Sequence, residues 1–442
     1  MFGKFQRPYV LATLTLVYTL NYLDRGLVIL LLQPIKEDLH LSDTQLGFLT
    51  GIAFGLFYAT LGLPIARWSD RGDRVTITSI AIGLWGVTVM SCVFVGNFIQ
   101  LVAARVAAAI GEAGCMPPTY SLVGEYYPGA AERTRAMAIY MLASPLSSLV
   151  SFVLGGWLNE HYSWRTTFFL MGIPALVVAV VVKFTLVDPR TQRSSDSALV
   201  PERNLPRMID VLRALWNQSA SRHLNTAIVL LFTMGSGLGP WYAAFMMRSH
   251  GMGTAELGLW LGLIFGVGGI AGIALGGYIA GRWFARDDRG LMRVSAVTIA
   301  LLVPFFCLFL LLPNKYASLA ALLIVWLIFS FILGPGFALM QRLVADEIRA
   351  TTLAVVMLLG NLIGMGLGPQ IVGILSDLLR PVFGDDSLRY SMLCMTSVAL
   401  WAAYHFWQVG RTVRDDLARV AERSELSTDP FHGMVAKQAA AR

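Results

Sequence analysis

Long apolar stretches dominate this chain, and short polar segments separate them. A helix of about 20 apolar residues crosses the roughly 30 Å hydrocarbon core of a bilayer. By that measure we predict helices at about 8–32, 43–66, 75–95, 97–123, 135–158, 166–187, 222–247, 255–282, 292–312, 316–343, 350–378 and 389–411. The short alternating segments typical of a transmembrane barrel are missing from the sequence. The pattern therefore predicts an all-α membrane protein with twelve transmembrane helices.

One polar stretch interrupts the pattern halfway along the chain. It contains Pro201, Pro206 and several arginines, a composition typical of a linker. We therefore predict an N-terminal six-helix bundle (1–187), a cytoplasmic linker (188–221), a C-terminal six-helix bundle (222–414) and a cytoplasmic tail (415–442).

The two predicted bundles share an internal repeat. Three glycines in the second segment match three in the eighth at a shift of 211 residues: Gly47, Gly51 and Gly55 match Gly258, Gly262 and Gly266. The same shift relates Arg71 to Arg282, and a shift of 214 relates Arg135 to Arg349. Such spacing of glycines lets helix backbones approach closely, and plain packing explains most of them. Two pseudo-symmetric halves joined by a linker are the plan of secondary transporters, whose site lies between the halves.

The charged residues are few and unevenly placed. The chain is 56% hydrophobic and 14% charged, against about 25% charged residues in soluble proteins. Its net charge of +7 comes from short loops rather than from a nucleic-acid-binding surface, because 26 of the 34 Lys and Arg residues fall on one predicted side and six on the other. By the positive-inside rule, both termini are cytoplasmic in a cell-membrane protein.

No enzymatic or cofactor-binding motif appears in the sequence. The four cysteines lie within apolar segments without the spacing of metal ligands. A catalytic triad and a phosphate-binding loop are also missing, and the longest polar stretch is too short for a nucleotide-binding domain. We therefore expect no enzyme activity, no metal and no cofactor.

Four ionisable residues interrupt the apolar helices of the first half: Asp24, Arg25, Arg105 and Glu112. Each costs at least about 2.5 kcal/mol near a bilayer centre, so each needs a partner or a water-filled cavity. Arg105 and Glu112 are seven residues apart and share one helix face, whereas Asp24 and Arg25 point about 100° apart.

These charges allow two interpretations. They form either a purely structural ion-pair network or a site that couples protons to an anion, because an anion that competes for an arginine frees its carboxylate to take up a proton. We predict that Asp24 and Glu112 carry the proton coupling. We predict that Arg105 holds the anionic group of the substrate, and that Arg25 either assists it or pairs with Asp24.

The loop after the second segment, Ala66-Arg67-Trp68-Ser69-Asp70-Arg71-Gly72-Asp73-Arg74, resembles a motif of the major facilitator superfamily. Asp70 and Arg71 match that motif, but the glycine is displaced and Asp73 replaces a basic residue. The resemblance implies the major facilitator fold, alternating access and a gating role for Asp70, Arg71 and Arg74. Alternatively, the arginines of this loop serve only as positive-inside anchors.

Within that superfamily the first half is most similar to the spinster group. The residues that carry the likeness are Asn21-Tyr22-Leu23-Asp24-Arg25, Leu41-Ser42-Asp43-Thr44-Gln45-Leu46-Gly47, Arg105 and Gly111-Glu112-Ala113. This likeness implies transport of sphingosine-1-phosphate or a lysophospholipid, with Asn21 and Tyr22 near the substrate. Anion:cation symporters share the Asn-x-x-Asp-Arg string, so a proton-coupled organic anion symporter stays open, and a transporter-like sensor is a remoter alternative.

The second half offers apolar side chains in place of charges. In the seventh and tenth segments these are Phe232, Met234, Trp241, Tyr242, Phe245, Phe331, Phe337 and Met340. A cavity between the halves would then have one charged and one apolar wall, which suits an amphipathic anion because each buried methylene contributes about 0.8 kcal/mol. We predict that Trp241, Tyr242, Phe337 and Asn361 contact the substrate of a monomeric carrier whose partners are this anion, protons and the bilayer. The alternative is that these rings face lipid or pack between helices.

Overall fold

The computed structural model of the chain describes residues 6–190, 213, 215–284, 287–344 and 349–428. The N-terminal half contains α1 (Gln6–Leu39), α2 (Asp43–Thr50 and Ile52–Arg71), α3 (Arg74–Ser91), α4 (Phe98–Ala113 and Met116–Tyr126), α5 (Ala130–Met141 and Ala143–His161) and α6 (Trp164–Thr185). The C-terminal half contains α7 (Ser219–Leu238 and Trp241–His250), α8 (Thr254–Gly262, Leu263–Gly268 and Gly269–Trp283), α9 (Asp288–Ala300 and Leu302–Leu311), α10 (Lys315–Arg342), α11 (Arg349–Leu359, Gly360–Met365 and Gly366–Phe383) and α12 (Ser387–Thr428). The central segments of α8 and α11 are π-helical turns.

Most of these helices are long and apolar enough to cross a membrane. Ten stretches of the described chain meet that test, or eleven if the two parts of α7, bent by 44°, count as one span. The longest stretch, Val355–Arg419, includes parts of both α11 and α12. These two helices pack against each other and are joined by a turn at Gly384, whose φ of 54° suits glycine. The described chain thus makes the twelve predicted crossings.

Two helices extend beyond their predicted ends because packing continues there. The first was expected to end near residue 32, but α1 runs through Pro34 to Leu39, and Ile35 is buried. The last was expected to end near residue 411. Instead α12 continues to Thr428, and Asp416 accepts a hydrogen bond of 2.6 Å from the backbone of Ala220 at the start of α7. Most of the predicted linker, 191–212, lies outside the described residues.

The alternating helices give the bundle two ends. The end that holds the start of α1 and the turns α2–α3, α4–α5 and α8–α9 is called here the terminus end. The opposite end holds the turns α1–α2, α3–α4, α5–α6, α7–α8, α9–α10 and α11–α12 and is called the clasp end. Several helices begin at side-chain caps, such as Ser42 in a capping box with Gln45 and Asn314 before α10.

The repeated glycines lie where the two halves meet. Here α2 packs against α11 and α5 packs against α8. A Cβ atom on Gly47 would lie 2.6 Å from the carbonyl oxygen of Pro369, and one on Gly262 would lie 3.0 Å from Val153. The other four repeated glycines also approach residues of the opposite half. The structure confirms two halves with pseudo-symmetric contacts. At these contacts the glycines allow the helices of the two halves to approach closely.

Candidate functional site

The four buried charges form two ion pairs between α1 and α4. Arg105 donates through Nη1 to Asp24, and Arg25 donates through Nε to Oε1 of Glu112 at 2.6 Å. The sequence left a pairing of Arg25 with Asp24 open, and the structure pairs Arg25 with Glu112 instead. The side chain of Glu112 is fully buried, whereas that of Arg25 is 20% exposed. Arg25 is therefore the member of the set that a ligand reaches most easily.

Three aromatic rings surround the guanidinium of Arg25. Its central carbon lies 4.2 Å from the ring centre of Tyr22, 5.0 Å from that of Tyr58 and 5.3 Å from that of Phe54. Phe54 also lies 5.0 Å from the guanidinium of Arg105. Cation–π contacts contribute about 0.5 to 2 kcal/mol each. Of these three rings, only Tyr22 is predicted from the sequence, although the spacing of four residues places Phe54 and Tyr58 on one face of α2.

Several buried polar atoms at this site have no partner among the described residues. They are Oε2 of Glu112, Nε of Arg105 and both amide atoms of Asn21. Buried polar groups are normally hydrogen-bonded. Oε2 of Glu112 can therefore accept a proton or a hydrogen bond, the amide oxygen of Asn21 can accept a hydrogen bond, and the nitrogens of Arg105 and Asn21 can donate to water or a ligand. A cavity of about 10 Å³ beside Asp24 and Arg105 has room for about one water molecule.

A cluster of tyrosines lies next to Tyr22. Tyr18 lies 5.2 Å from Tyr22 and 5.0 Å from Tyr140, measured between ring centres, and Tyr140 lies 5.3 Å from Tyr120. The hydroxyl of Tyr140 is 2.6 Å from that of Thr119. This cluster is not predictable from the sequence, because its members come from α1, α4 and α5.

The C-terminal half does not present the apolar wall that we expected. Six of its eight predicted side chains are at most 7% exposed and pack between helices: Met234, Trp241, Tyr242, Phe245, Phe331 and Met340. Tyr242 packs against several rings, including Phe309 at 5.6 Å. This packing contradicts an exposed position for Trp241 and Tyr242 in this conformation. Phe232 and Phe337 are half-buried and meet edge to face at 6.3 Å, and Asn361 is half-buried in the π turn of α11.

The predicted gating residues at the terminus end lie in different environments. Arg74 is 2% exposed, and its Nη1 lies 3.5 Å from Glu125. It therefore joins α3 to α4 within one half. Arg71 is exposed, and the side chain of Asp70 lies outside the described part of the structure. The gating role of Asp70, Arg71 and Arg74 stays a prediction.

The clasp end joins the halves through Asp43. Both terminal nitrogens of Arg248 lie 2.8 Å from the carboxylate of Asp43. Lys36 contributes a further contact of 2.5 Å, and the hydroxyl of Ser376 contributes one of 2.6 Å. Asp43, Lys36, Arg248 and Ser376 are called the clasp cluster below. From the sequence, Lys36 and Arg248 were expected only to be loop charges.

Two helix N-termini at the same end are capped by carboxylates of the opposite half. Asp377 of α11 accepts hydrogen bonds from the backbone nitrogens of Asp43 at 3.1 Å and Thr44 at 2.7 Å. Glu160 of α5 accepts one of 2.6 Å from the backbone nitrogen of Ala255. Thr44 and Ala255 correspond in the repeat, so the two caps are pseudo-symmetric. All hydrogen bonds between described residues of different halves lie near this end, and the conformation is therefore closed at the clasp end.

Comparison with known proteins shows which family this chain resembles. The family profile described as Major Facilitator Superfamily matches residues 14–369. An "MFS-type efflux pump" of Mycolicibacterium smegmatis is 33% identical over 414 residues, covering 92% of this chain and 94% of the relative. The "Probable galactarate/D-glucarate transporter GudP" of Bacillus subtilis is 25% identical, covering 77% and 78%. The crystal structure of a bacterial homolog to the human lysosomal transporter Spinster, inward-facing and unoccupied, superposes with a TM-score of 0.83 at 27% identity, covering 94% of this chain and 99% of that one.

Proposed function

Because this chain belongs to the major facilitator superfamily, we propose that it is a proton-coupled carrier that moves an amphipathic anion by alternating access. The observation that carries this proposal is the pair formed by Arg25 and Glu112, in which a partly exposed guanidinium neutralises a fully buried carboxylate. Coupling requires that the anion and the proton act on the same group. In this pair the anion competes for Arg25 and the proton binds its partner Glu112.

The coupling step is a competition for Arg25. An anionic headgroup that reaches the exposed side of Arg25 draws the guanidinium away from Glu112. A buried carboxylate without a counter-charge is costly, and it removes that cost by taking up a proton. Anion binding and protonation of Glu112 therefore favour each other. Oε2 of Glu112, buried without a partner in the described structure, accepts that proton.

The Asp24–Arg105 pair has a supporting role in this scheme. Both side chains are at most 6% exposed, so the pair is deeper than Arg25. If the anion also recruits Arg105, Asp24 loses its partner and becomes the second proton acceptor. An arginine fork suits phosphate and carboxylate groups because it offers two parallel donors. We propose that Arg25 contacts the headgroup first and Arg105 second.

An amphipathic substrate suits the surroundings of these charges. The rings of Tyr22, Phe54 and Tyr58 border Arg25, and Phe232 and Phe337 are the predicted apolar side chains of the other half that stay half-buried. A lysophospholipid-like anion uses both surfaces. The likeness to a sugar-acid transporter favours a second candidate, a small organic anion, which uses the charges alone.

Transport measurements on the reconstituted protein test the proposal. In proteoliposomes with an imposed pH gradient, we expect accumulation of a labelled lysophospholipid and little accumulation of glucarate. Glu112→Gln should abolish gradient-driven accumulation but retain exchange, because the amide mimics the protonated acid. Glu37→Gln, which changes an exposed carboxylate of α1, the helix that carries Asp24, should have no effect. Wild-type accumulation in both Glu112→Gln and Asp24→Asn would disprove the coupling role. Binding without transport by the wild type would favour a sensor.

A further inference from the structure

A second cavity lies at the terminus end of the N-terminal half, and none of the residues of the buried ion pairs lines it. It has a volume of about 570 Å³, within the range of small-molecule sites. The first turns of α1 and α5 and the turn before α5 line it: Arg7, Pro8, Leu11, Ala12, Tyr127, Glu132, Arg135, Ala136 and Ile139. Because these turns begin membrane-spanning segments, the cavity lies at the depth of lipid headgroups.

The two arginines of this cavity have unused binding capacity. Arg7 reaches Glu132 at 3.4 Å, an exposed pair of a kind that contributes little. Its Nε is buried without a partner in the described structure. Arg135 is exposed and makes no hydrogen bond or ion pair with any residue that the structure describes. Two guanidinium groups against one carboxylate leave a surplus positive charge.

The rest of the lining is mostly apolar. Five of the nine residues carry only carbon in their side chains, and Ile139 is 50% exposed. A soluble anion such as phosphate would contact the arginines and leave this surface in water. A molecule with a phosphate headgroup and a hydrocarbon chain would cover both surfaces.

We propose that this cavity binds an anionic phospholipid of the bilayer, with its phosphate between Arg7 and Arg135 and the start of an acyl chain against Leu11, Ala12 and Ile139. This site is separate from the proposed substrate site at Arg25 and Arg105, and the proposal does not depend on which substrate is carried. A bound lipid bridges α1, which carries Asp24 and Arg25, to α5, which packs against the other half. It therefore stabilises the arrangement of these two helices.

Native mass spectrometry of the purified full chain, titrated with phosphatidylglycerol or phosphatidylcholine, tests the site. An arginine near the membrane surface contributes about a fivefold change in lipid affinity, so R7A/R135A should weaken the tightest phosphatidylglycerol site by about 25-fold. Arg282→Ala, which changes an exposed arginine at the same end of the other half, should not change it. Equal affinity in the double variant and the wild type would overturn the proposal.

Three further measurements separate the alternatives. Ala12→Trp fills the apolar side of the cavity while both arginines stay, and it should weaken phosphatidylglycerol binding; unchanged binding would overturn the acyl-chain position. Glu132→Gln should strengthen binding of an anionic lipid, whereas weaker binding would indicate an aminophospholipid and overturn the anionic assignment. Displacement of the lipid by inorganic phosphate would show a site for small anions instead. Size-exclusion profiles verify that each variant is folded.

Discussion

The carboxylate caps at the clasp end should control the balance between conformations. In Asp377→Asn the side chain keeps its size but loses the charge that faces the N-terminus of α2, where it accepts bonds of 3.1 and 2.7 Å. A carboxylate at a partly buried helix N-terminus contributes about 1 to 2 kcal/mol. Since this cap exists only while the clasp end is closed, its loss should shift the equilibrium toward the conformation that is open at the clasp end and closed at the terminus end, about 5- to 30-fold.

Distance measurements between spin labels can detect this shift. Thr134 and Arg282 are exposed positions at the terminus end of α5 and α8, on opposite halves. With labels there and the native cysteines replaced, Asp377→Asn should increase the population with a short label distance. Glu160→Gln, which removes the pseudo-symmetric cap, should act in the same direction.

A matched control uses an ion pair that does not cross between the halves. Asp38 lies 2.6 Å from Arg165 at the same end, and both belong to the N-terminal half. Asp38→Asn should leave the label distances unchanged. The reasoning is refuted if Asp377→Asn leaves the distances at their wild-type values, or if Asp38→Asn shifts them equally.

Three other predictions follow from the site and the interface. Arg25→Lys should weaken anion binding about tenfold because the fork is lost while the charge stays, and a stronger effect of Arg105→Lys in titration calorimetry would reverse the assigned order. Gly258→Val should stop transport in a folded protein because its Cβ meets the carbonyl of Phe152, whereas Gly277→Val, which points into open space, should transport normally in the proteoliposome assay. Phe337→Asn should flatten the gain in affinity along a series of acyl-chain lengths; an unchanged slope would favour the small organic anion.

The sequence was sufficient for features that depend on local pattern. Runs of apolar residues located all twelve helices, and a spacing of seven placed Arg105 and Glu112 on one face of α4. The same pattern identified the buried charges, because a charge within an apolar run is costly wherever the helix packs. It could not assign their partners, because Asp24 and Arg25 are neighbours and only the packing of α1 on α4 decides which arginine reaches which carboxylate.

Contacts between distant segments could not be predicted from the sequence. Asp377 looks like an ordinary charge near a helix end until α11 packs beside α2, and Arg248 looks like a loop cation until it meets Asp43. The prediction of an apolar wall was wrong for a related reason: hydrophobicity alone does not distinguish a ring that stays half-buried, such as Phe337, from one in the core, such as Tyr242.

The glycine contacts between the halves also affect how fast the carrier can turn over. Where α2 meets α11 and α5 meets α8, these glycines bring the backbone of one helix against the other helix. At these glycines the helices can move past each other without repacking side chains, so we expect a low activation barrier for switching between conformations. A smooth surface also gives little preference for either position. We therefore expect packing at the glycines to set the rate of switching, and the charges at the clasp end to set the preferred conformation, so that mutations can change one without the other.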